Sequence, residues 1–229
     1  MGAPMGAQAQ EAADDATTAT VPEVRVQGEA RTAPGPGTHY KVQPTDRPGG
    51  GADAADLVGQ QPGAAVMDNG PLAGQVQYRG MFGPRVSTRV NGMYINSGGP
   101  NLMDPPLHYA PRGLVEEVEM VRGIAPARQG AESIGGAVEA RLKRSEFALT
   151  SDPEVRATLS GGGQSAYQGG SGAGFASVAN DRHRAHAMAS ADRGGDIKFP
   201  GGTIEASRHE RYTFGGGYGL RIAPGHDLG

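Results

Sequence analysis

Met103 and His108 have side chains of the types that bind soft metal ions, and they lie close together in a stretch rich in glycine and proline. A methionine thioether is a soft ligand that suits Cu(I), and a histidine imidazole can add a nitrogen ligand. Because two ligands leave a copper site incomplete, further ligands would have to come from Met81, from Met93 or from elsewhere. The competing interpretation is that Met103 packs within its loop, as methionines do more often than they bind metals.

The remaining residues offer little for covalent chemistry or nucleic-acid binding. The sequence has no cysteine, and no nucleophile, base and orienting group are arranged together. The glycine clusters at 161–163 and 215–217 are not followed by Lys and Ser or Thr, so neither is a phosphate-binding loop. The 21 Lys and Arg residues against 24 Asp and Glu residues give a formal charge of −3. We therefore expect no enzyme activity, no cofactor and no nucleic-acid partner.

The composition favours β-structure over a large helical core. Of the 229 residues, 39 are glycine and 17 are proline, and hydrophobic residues make up 37%. Glycine weakens helix interiors and suits turns and closely approaching strands. No apolar run approaches the roughly 20 residues that a membrane helix needs, so any membrane crossing would be made by β-strands.

The first 52 residues predict a processed start and a linker. Gly6–Ala9 matches the small-residue pattern of a signal-peptidase site, but the basic and apolar segments that should precede it are absent, so the residues alone favour a chance match. The family resemblance given below reverses this and implies that residues 1–9 are the end of a signal peptide. Residues 10–52 are rich in Ala, Thr, Pro, Gly and Asp, which is typical of an extended linker. Within this linker, Val21–Gln27 alternates and either adds as a strand to a partner's sheet edge or is solvated.

Residues 53–148 predict a small α+β domain. A short helix is expected at 53–60, with its first residue, Asp, as the cap. Two strands are expected on either side of the tight turn 91–92, because Asn-Gly is the preferred pair for such a turn. Segment 114–121 begins as a helical turn and continues as a strand, and segment 137–142 is another strand.

Residues 149–229 predict about four strands that each have one apolar and one polar face. The clearest is 211–222, where Tyr, Phe, Leu and Ile occupy even positions over a length that crosses a bilayer at a tilt. The same alternation occurs at 155–160 and, more weakly, at 184–191.

Turn lengths in this region alternate as well. The turn at 180–182 is short, whereas the segment at 193–208 is long, polar and rich in glycine. Short turns at one end and long loops at the other are typical of outer-membrane barrels. A soluble β-sandwich can show similar strand alternation, so both architectures remain compatible with the pattern.

Four short segments occur in a characteristic order, namely Tyr78–Gly80, Val90–Met93, Val115–Gly123 and Ala131–Val138, with Ala55–Gly63 upstream of them. Together they resemble the plug domain of TonB-dependent outer-membrane receptors. The motif positions are Arg79, Gly80, Asn91, Gly92, Arg122, Gly123, Gly135 and Gly136. We expect the glycines to serve backbone conformation. We expect Arg79, Arg122 and Arg128 to pair with Glu117, Glu119 or Glu132, or with carboxylates of the barrel wall.

The resemblance implies an α+β plug domain followed by the first antiparallel strands of a transmembrane β-barrel. It also implies an outer-membrane location in contact with lipid, with the plug inside the barrel and the N-terminus in the periplasm. The alternating N-terminal segment falls where the family has its TonB box, which pairs with the energy-transducing protein TonB. The residues of the expected box are Val21, Pro22, Glu23, Val24, Arg25, Val26 and Gln27.

A narrower resemblance covers Ser97–Pro111, which is similar to the plug loop of copper-type receptors. Some of those receptors have a cysteine at the position of Gly99, whereas Met103 is retained here. The resemblance implies energy-coupled uptake of a metal or metal complex, with copper as the candidate and Met103, His108 and Met81 as candidate ligands. The alternatives are a siderophore or cobalamin receptor and, from another class, a β-rich surface interaction protein without TonB coupling.

The number of strands implies a longer receptor. Plugged barrels of this class use about 22 strands, and each strand needs about ten residues. An open sheet of about four strands would leave unpaired backbone groups in hydrocarbon. We therefore expect the barrel to be truncated in this sequence and the chain to be a fragment.

Overall fold

The computed structural model describes residues 39–46, 52–99, 102–124, 133–165, 167–223 and 226–228. They belong to one compact unit, Pro34–Gly229. The signal-peptide end predicted at 1–9 and the TonB box predicted at Val21–Gln27 lie outside the described residues, as does most of the linker predicted at 10–52. Within the described ranges, no helix is both long enough and apolar enough to cross a membrane.

The described residues form two groups of elements, which we call the plug (39–148) and the wall (149–228). The plug strands are β1 (His39–Val42), β2 (Ala64–Asp68), β3 (Gly74–Tyr78), β4 (Met81–Phe82), β5 (Ser87–Val90), β6 (Met93–Tyr94), β7 (Val115–Arg122) and β8 (Gly136–Leu142). One α-helix, α1 (Ala55–Gly59), and 3₁₀ helices at Pro44–Asp46, Gly83–Arg85, Pro106–Tyr109 and Arg112–Leu114 complete the described part of the plug. The wall contains β9 (Glu154–Gln164), β10 (Gly169–Ala179), β11 (His183–Gly194), β12 (Ile197–Phe199), β13 (Gly202–Ile204), β14 (His209–Ala223) and β15 (His226–Leu228).

The plug is built on a five-stranded sheet in the order β1-β7-β8-β5-β6. Strands β5 and β8 are parallel, and the other pairs are antiparallel. A smaller sheet, β2-β3-β4, and helix α1 share a hydrophobic core with this sheet, in which Leu57, Val76, Val118 and Val138 are buried. The apolar residues of β7 and β8 therefore face a common core, and the predicted α+β fold is confirmed.

The predicted tight turn between two plug strands is confirmed. Val90 of β5 pairs with Met93 of β6, so only Asn91 and Gly92 connect the strands. Both connecting residues have positive φ angles, 51° and 78°. Asparagine and glycine tolerate this conformation better than other residues, which explains why the chain reverses at this point.

Two predictions for the plug need correction. The helix expected at 53–60 is limited to Ala55–Gly59, and Ala54 rather than Asp53 is its N-cap residue. Asp53 lies one position earlier, where its Oδ1 accepts the N–H of Ala55 at 2.9 Å. Residues 39–46 were expected to be linker, but they form β1 and a 3₁₀ helix, because β1 pairs along its whole length with β7.

The wall is an antiparallel sheet in the order β15-β14-β11-β10-β9. In β14 the side chains of Tyr212, Phe214 and Tyr218 are exposed, whereas Arg211 is buried on the opposite face. In β10 the residues that alternate with exposed positions, such as Ala173, are buried. One face is therefore exposed and rich in aromatic side chains, and the other lies against the plug, which confirms the predicted antiparallel strands.

Two parts of the wall were not predicted. Strand β10 contains mostly glycine, alanine and serine, so it lacks the strong apolar alternation of β14. It is nevertheless paired on both sides, with β9 and β11. The long segment at 193–208 contains a small hairpin, in which β12 pairs with β13. Backbone pairing rather than side-chain pattern accounts for both features.

Candidate functional site

The loop between β6 and β7 carries two of the three predicted metal ligands, and Asp104 fixes its shape. Gly98 and Asp104 exchange two backbone hydrogen bonds of 3.2 Å. The hydroxyl of Ser97 donates to the carbonyl of Asp104 at 2.9 Å, and the phenol of Tyr109 donates to its carboxylate at 2.8 Å. The hydrogen bond to Asp104 also raises the pKa of Tyr109 above its ordinary value. Several bonds therefore hold both ends of the loop around Met103.

The three predicted ligands have different surroundings. Met103 is 55% exposed, so its thioether is accessible to solvent. The ring Nδ1 of His108 lies 2.7 Å from the carbonyl oxygen of Leu72, and because a carbonyl only accepts, this nitrogen carries the proton. Its Nε2 is therefore the nitrogen with a free lone pair, which is how metal-binding histidines are commonly oriented. Met81 is partly buried and packs against the plug core.

The structure places Met103 and His108 in the loop between β6 and β7, and it places Met81 against the plug core, beside Gly135. Nowhere in the described ranges do three or more His, Asp or Glu side chains form a group that could hold a metal ion. A site made from the described residues would depend on methionine sulfur, and its ligand set stays a prediction.

A small cavity of about 60 Å³ lies under the same loop. Gln75 lines it and is only 3% exposed, and neither its amide nitrogen nor its amide oxygen has a hydrogen-bond partner among the described residues. Thr88, Asn96 and Ser97 add further neutral polar groups to the lining. The cavity is large enough and polar enough for ordered water, but it has no charged lining residue to attract an ion.

The predicted plug motif occupies turns and close contacts of the backbone. Six of its residues have positive φ angles, namely Arg79, Gly80, Asn91, Gly92, Gly123 and Gly136. Gly135 has no room for a side chain, since a Cβ there would lie 2.6 Å from the carbonyl oxygen of Arg85. The guanidinium of Arg122 lies over the ring of Tyr40, with 4.5 Å between its carbon and the ring centroid. These positions shape the backbone, as expected for the glycines.

The ion pairs of Glu117 and Glu119 differ from those expected, and Arg128 and Glu132, which were also expected to form such pairs, lie outside the described residues. Glu117 and Glu119 instead bind Arg141, at 2.5 Å and 3.0 Å, because β7 and β8 pair in a register that brings these residues together. Burial alone would raise the pKa of Glu119, but a 2.5 Å hydrogen bond with His39 and the neighbouring positive charges lower it overall. The arginine that holds this acidic cluster was not identified from the sequence.

Arg211 of the wall forms polar contacts with both the wall and the plug. It forms a buried ion pair with Asp192, in which Nη2 lies 2.8 Å and Nε lies 3.2 Å from Oδ2. Its Nη1 donates to the carbonyl of His108 at 2.9 Å, and its Nη2 donates to the carbonyl of Ala52 at 2.9 Å. One guanidinium therefore joins two wall strands to two separate segments of the plug.

Asp53 lies next to this contact and is buried. Burial is the main cause that raises the pKa of its carboxyl to about 7, and the nearby charge of Asp56 adds to the shift. Hydrogen bonds from the backbone N–H groups of Gly74 and Ala55 and the charge of Arg211 act in the opposite direction. Asp53 thus titrates near neutral pH at the point where the plug meets the wall.

These features agree with the comparisons to known proteins. Residues 29–137 match the model of the TonB-dependent Receptor Plug Domain family. A search of curated proteins gave no match.

Several solved structures have the same fold. The chain is similar to the copper transporter OprC, with a TM-score of 0.68 and 21% identity over 81% of this chain and 28% of that one. The FrpB iron transporter from Neisseria meningitidis has a TM-score of 0.65 and 17% identity, over 82% of this chain and 30% of that one. The siderophore receptor PirA from Acinetobacter baumannii has a TM-score of 0.60 and 17% identity, over 81% of this chain and 29% of that one. This chain spans less than a third of the length of each of these three proteins.

The shared architecture covers both the plug and the wall. The family model accounts for most of the plug, and the solved structures extend the similarity over 81–82% of the chain. The family match therefore identifies residues 29–137 of this chain as a TonB-dependent receptor plug domain.

Proposed function

We propose that this receptor takes up a metal ion or metal complex across the outer membrane with energy supplied through TonB, and that copper is the metal. The observation that carries the proposal is a plug domain bonded to the polar face of antiparallel strands whose other face is aromatic and exposed. Such a sheet suits lipid on one side and a plugged interior on the other. The N-terminus would then lie in the periplasm, where Val21–Gln27 pairs with TonB.

Copper is favoured by the chemistry of the loop. Met103 offers an exposed thioether, and the hydrogen bond at Nδ1 leaves Nε2 of His108 as a nitrogen ligand. Sulfur and imidazole ligands together suit Cu(I) better than they suit hard cations. The similarity in fold to the copper transporter OprC supports the same choice. Here copper is the transported substrate and not a resident cofactor.

A ferric siderophore is the second candidate substrate. It is supported by similar folds in the siderophore receptor PirA and the FrpB iron transporter. An uncharged cavity beneath the loop and one exposed methionine contribute little to the binding of a large iron complex. The two candidates differ in whether the sulfur of Met103 matters, and this difference can be measured.

Coupling to TonB is tested by deletion in cells that lack their own copper receptor. Removing Val21–Gln27 is expected to abolish copper accumulation, measured by mass spectrometry of washed cells, while copper binding to the purified full-length protein is unchanged. Removing the seven residues Gln10–Ala16 is the matched control and should leave accumulation intact. Normal accumulation without Val21–Gln27 would show that this segment does not deliver the energy.

Copper binding is tested with Met103→Leu, which keeps the apolar volume and removes the sulfur. We expect the affinity for Cu(I), titrated against a chromogenic chelator, to fall roughly tenfold or more, which corresponds to a loss of about 1.4 kcal/mol. Met67→Leu is the control, since Met67 is another partly exposed methionine of the plug, on β2. Equal affinities for both variants would remove Met103 from the site and favour the siderophore alternative.

A further inference from the structure

We propose that Arg211 is a positioning residue that couples the plug segment Ala52–Ala54, which leads into α1, to the end of the candidate ligand loop, His108–Arg112. For its role in uptake this inference rests on the proposed function, whereas the coupling itself depends only on contacts between described residues. Through its hydrogen bonds to two carbonyls, one side chain of the wall would set the positions of both plug segments.

The guanidinium of Arg211 has a geometry that fits the proposed coupling. Its planar group of donors reaches the carboxylate of Asp192 on one side and the carbonyls of Ala52 and His108 on the other. All of these distances fall between 2.8 Å and 3.2 Å. Because the donors of arginine point in fixed directions, the two carbonyls cannot separate without breaking at least one of these bonds.

The ion pair between Arg211 and Asp192 is buried. The side chains of Arg211 and Asp192 are only 8% and 5% exposed. Removing two charges from water costs more than their mutual attraction commonly returns, so such a pair is weak evidence for stability alone. Here the guanidinium, its charge balanced by Asp192, also donates to the backbone carbonyls of His108 and Ala52. The pair therefore acts on the position of the backbone as well as on the wall.

The two plug segments that Arg211 contacts are also bonded to each other. The N–H of Ala54 donates to the carbonyl of Ala110, and the N–H of Arg112 donates to the carbonyl of Ala52, both at 3.1 Å. The carbonyl of Ala52 thus receives one bond from the loop and one from Arg211. A displacement of Ala52 would weaken both bonds together, and the carbonyl of His108 would lose its fixed position relative to the wall.

The test is amide hydrogen exchange in the purified full-length protein. Arg211→Lys keeps the charge that Asp192 requires, but a lysine ammonium lacks the planar fork that spans both carbonyls. We expect the amides of Ala54 and Arg112 to exchange roughly tenfold faster, and by the same factor, since one opening event exposes both. Arg156→Lys is the control, because Arg156 is 70% exposed and pairs with Glu154 on the wall.

A second variant covers the case in which lysine reproduces the contact. Arg211→Met combined with Asp192→Leu removes both charges without leaving a buried carboxylate unpaired, and the same acceleration is expected. Unchanged exchange in this double variant, or acceleration in only one of the two segments, would overturn the coupling. Neither result depends on the substrate, so a failed copper assay and a failed coupling assay are distinguishable.

Discussion

Gly113 of the plug lies directly against Ala173 of the wall. A Cβ at Gly113 would fall 2.4 Å from the Cβ of Ala173 and 2.9 Å from the hydroxyl oxygen of Ser160. Since real Cβ atoms do not approach other atoms this closely, any larger residue at this position must push the two parts of the structure apart. The carbonyl of Gly113 also accepts a hydrogen bond from Lys143 at 3.0 Å, which ties the same point to the end of the plug.

Gly113→Ala should therefore destabilise the contact between plug and wall by about 1–3 kcal/mol, the usual cost of overpacking. The measurement is chemical denaturation of the purified full-length protein. Gly172→Ala is the control on the same wall strand as Ala173, because apart from its chain neighbours the nearest atom to a Cβ there is 4.0 Å away. Adding Ala173→Gly to Gly113→Ala should restore part of the loss, and an absence of any rescue would show that Ala173 is not the obstacle.

Asp53 should make stability depend on pH between about 4 and 7. Its pKa is about 7 in the folded protein against an ordinary value of 3.8, so within this range the folded state holds a proton that the unfolded state has released. The contribution is fully present below the ordinary pKa and is lost as the pH rises through 7. Denaturation midpoints at several pH values should fall along this range, and Asp53→Asn should flatten the slope.

Asp53→Asn also changes one hydrogen bond, since an amide nitrogen cannot accept the N–H of Gly74. Its midpoint should be lower than that of the native protein at acidic pH for this reason. A variant that keeps the native slope between pH 5 and 7 would assign the titration to another group.

Arg141 should stabilise the plug sheet through the acidic cluster that it neutralises. Arg141→Gln leaves Glu117, Glu119 and Glu139 close together without their shared cation. Because Arg141 is 42% exposed, water screens part of the effect, and we expect a loss of about 1 kcal/mol in the free energy of unfolding.

Salt provides the check on the Arg141 prediction. Added salt screens the repulsion among the three carboxylates, so the difference between Arg141→Gln and the native protein should shrink as the salt concentration rises. Arg156→Gln removes an exposed ion pair of the wall and should change stability by less than about 0.5 kcal/mol. An equal loss in the two variants would show that the cluster has no special role.

Asn91 should stabilise its turn through its side chain as well as its conformation. Its Oδ1 accepts the N–H of Leu142 at 2.8 Å, which joins the turn to the end of β8. Asn91→Gly permits the same positive φ angle and removes this bond, so we expect a loss of about 1 kcal/mol. Asn91→Asp keeps the acceptor and should be close to the native protein in thermal denaturation. If the glycine variant is as stable as the native protein, the bond contributes nothing.

The sequence predicted those strands and turns whose residue pattern lies within one continuous stretch of the chain. The alternation around Tyr212, Phe214 and Tyr218 identified β14, because a strand with one exposed apolar face repeats every second residue. The Asn91–Gly92 pair identified the plug hairpin for a similar reason. By contrast, β1 has only four residues and is a strand because it pairs with β7, far along the chain.

The contact around Arg211 was missed because its parts are brought together only by the fold. Asp192 and Arg211 face each other across β11 and β14, and this pairing depends on a strand register that the sequence does not display. The bonds to Ala52 and His108 require the plug to be seated on the wall. An arginine on the polar face of a predicted strand was the signal that the sequence offered. The loop around Met103 was identified from residue types, but its hydrogen bonds to Asp104 were not.

The face of the wall that meets Gly113 has a consequence for movement of the plug. It is lined there by small groups such as Ser160, Gly162, Ala173 and Ser190. Small side chains make this surface nearly smooth. A plug that moved along it would therefore meet few interdigitated side chains and would need few rotamer changes. Resistance to relative movement of the plug and the wall would then come mainly from hydrogen bonds and ion pairs, which can break and re-form. Interdigitated side-chain packing would contribute little to it.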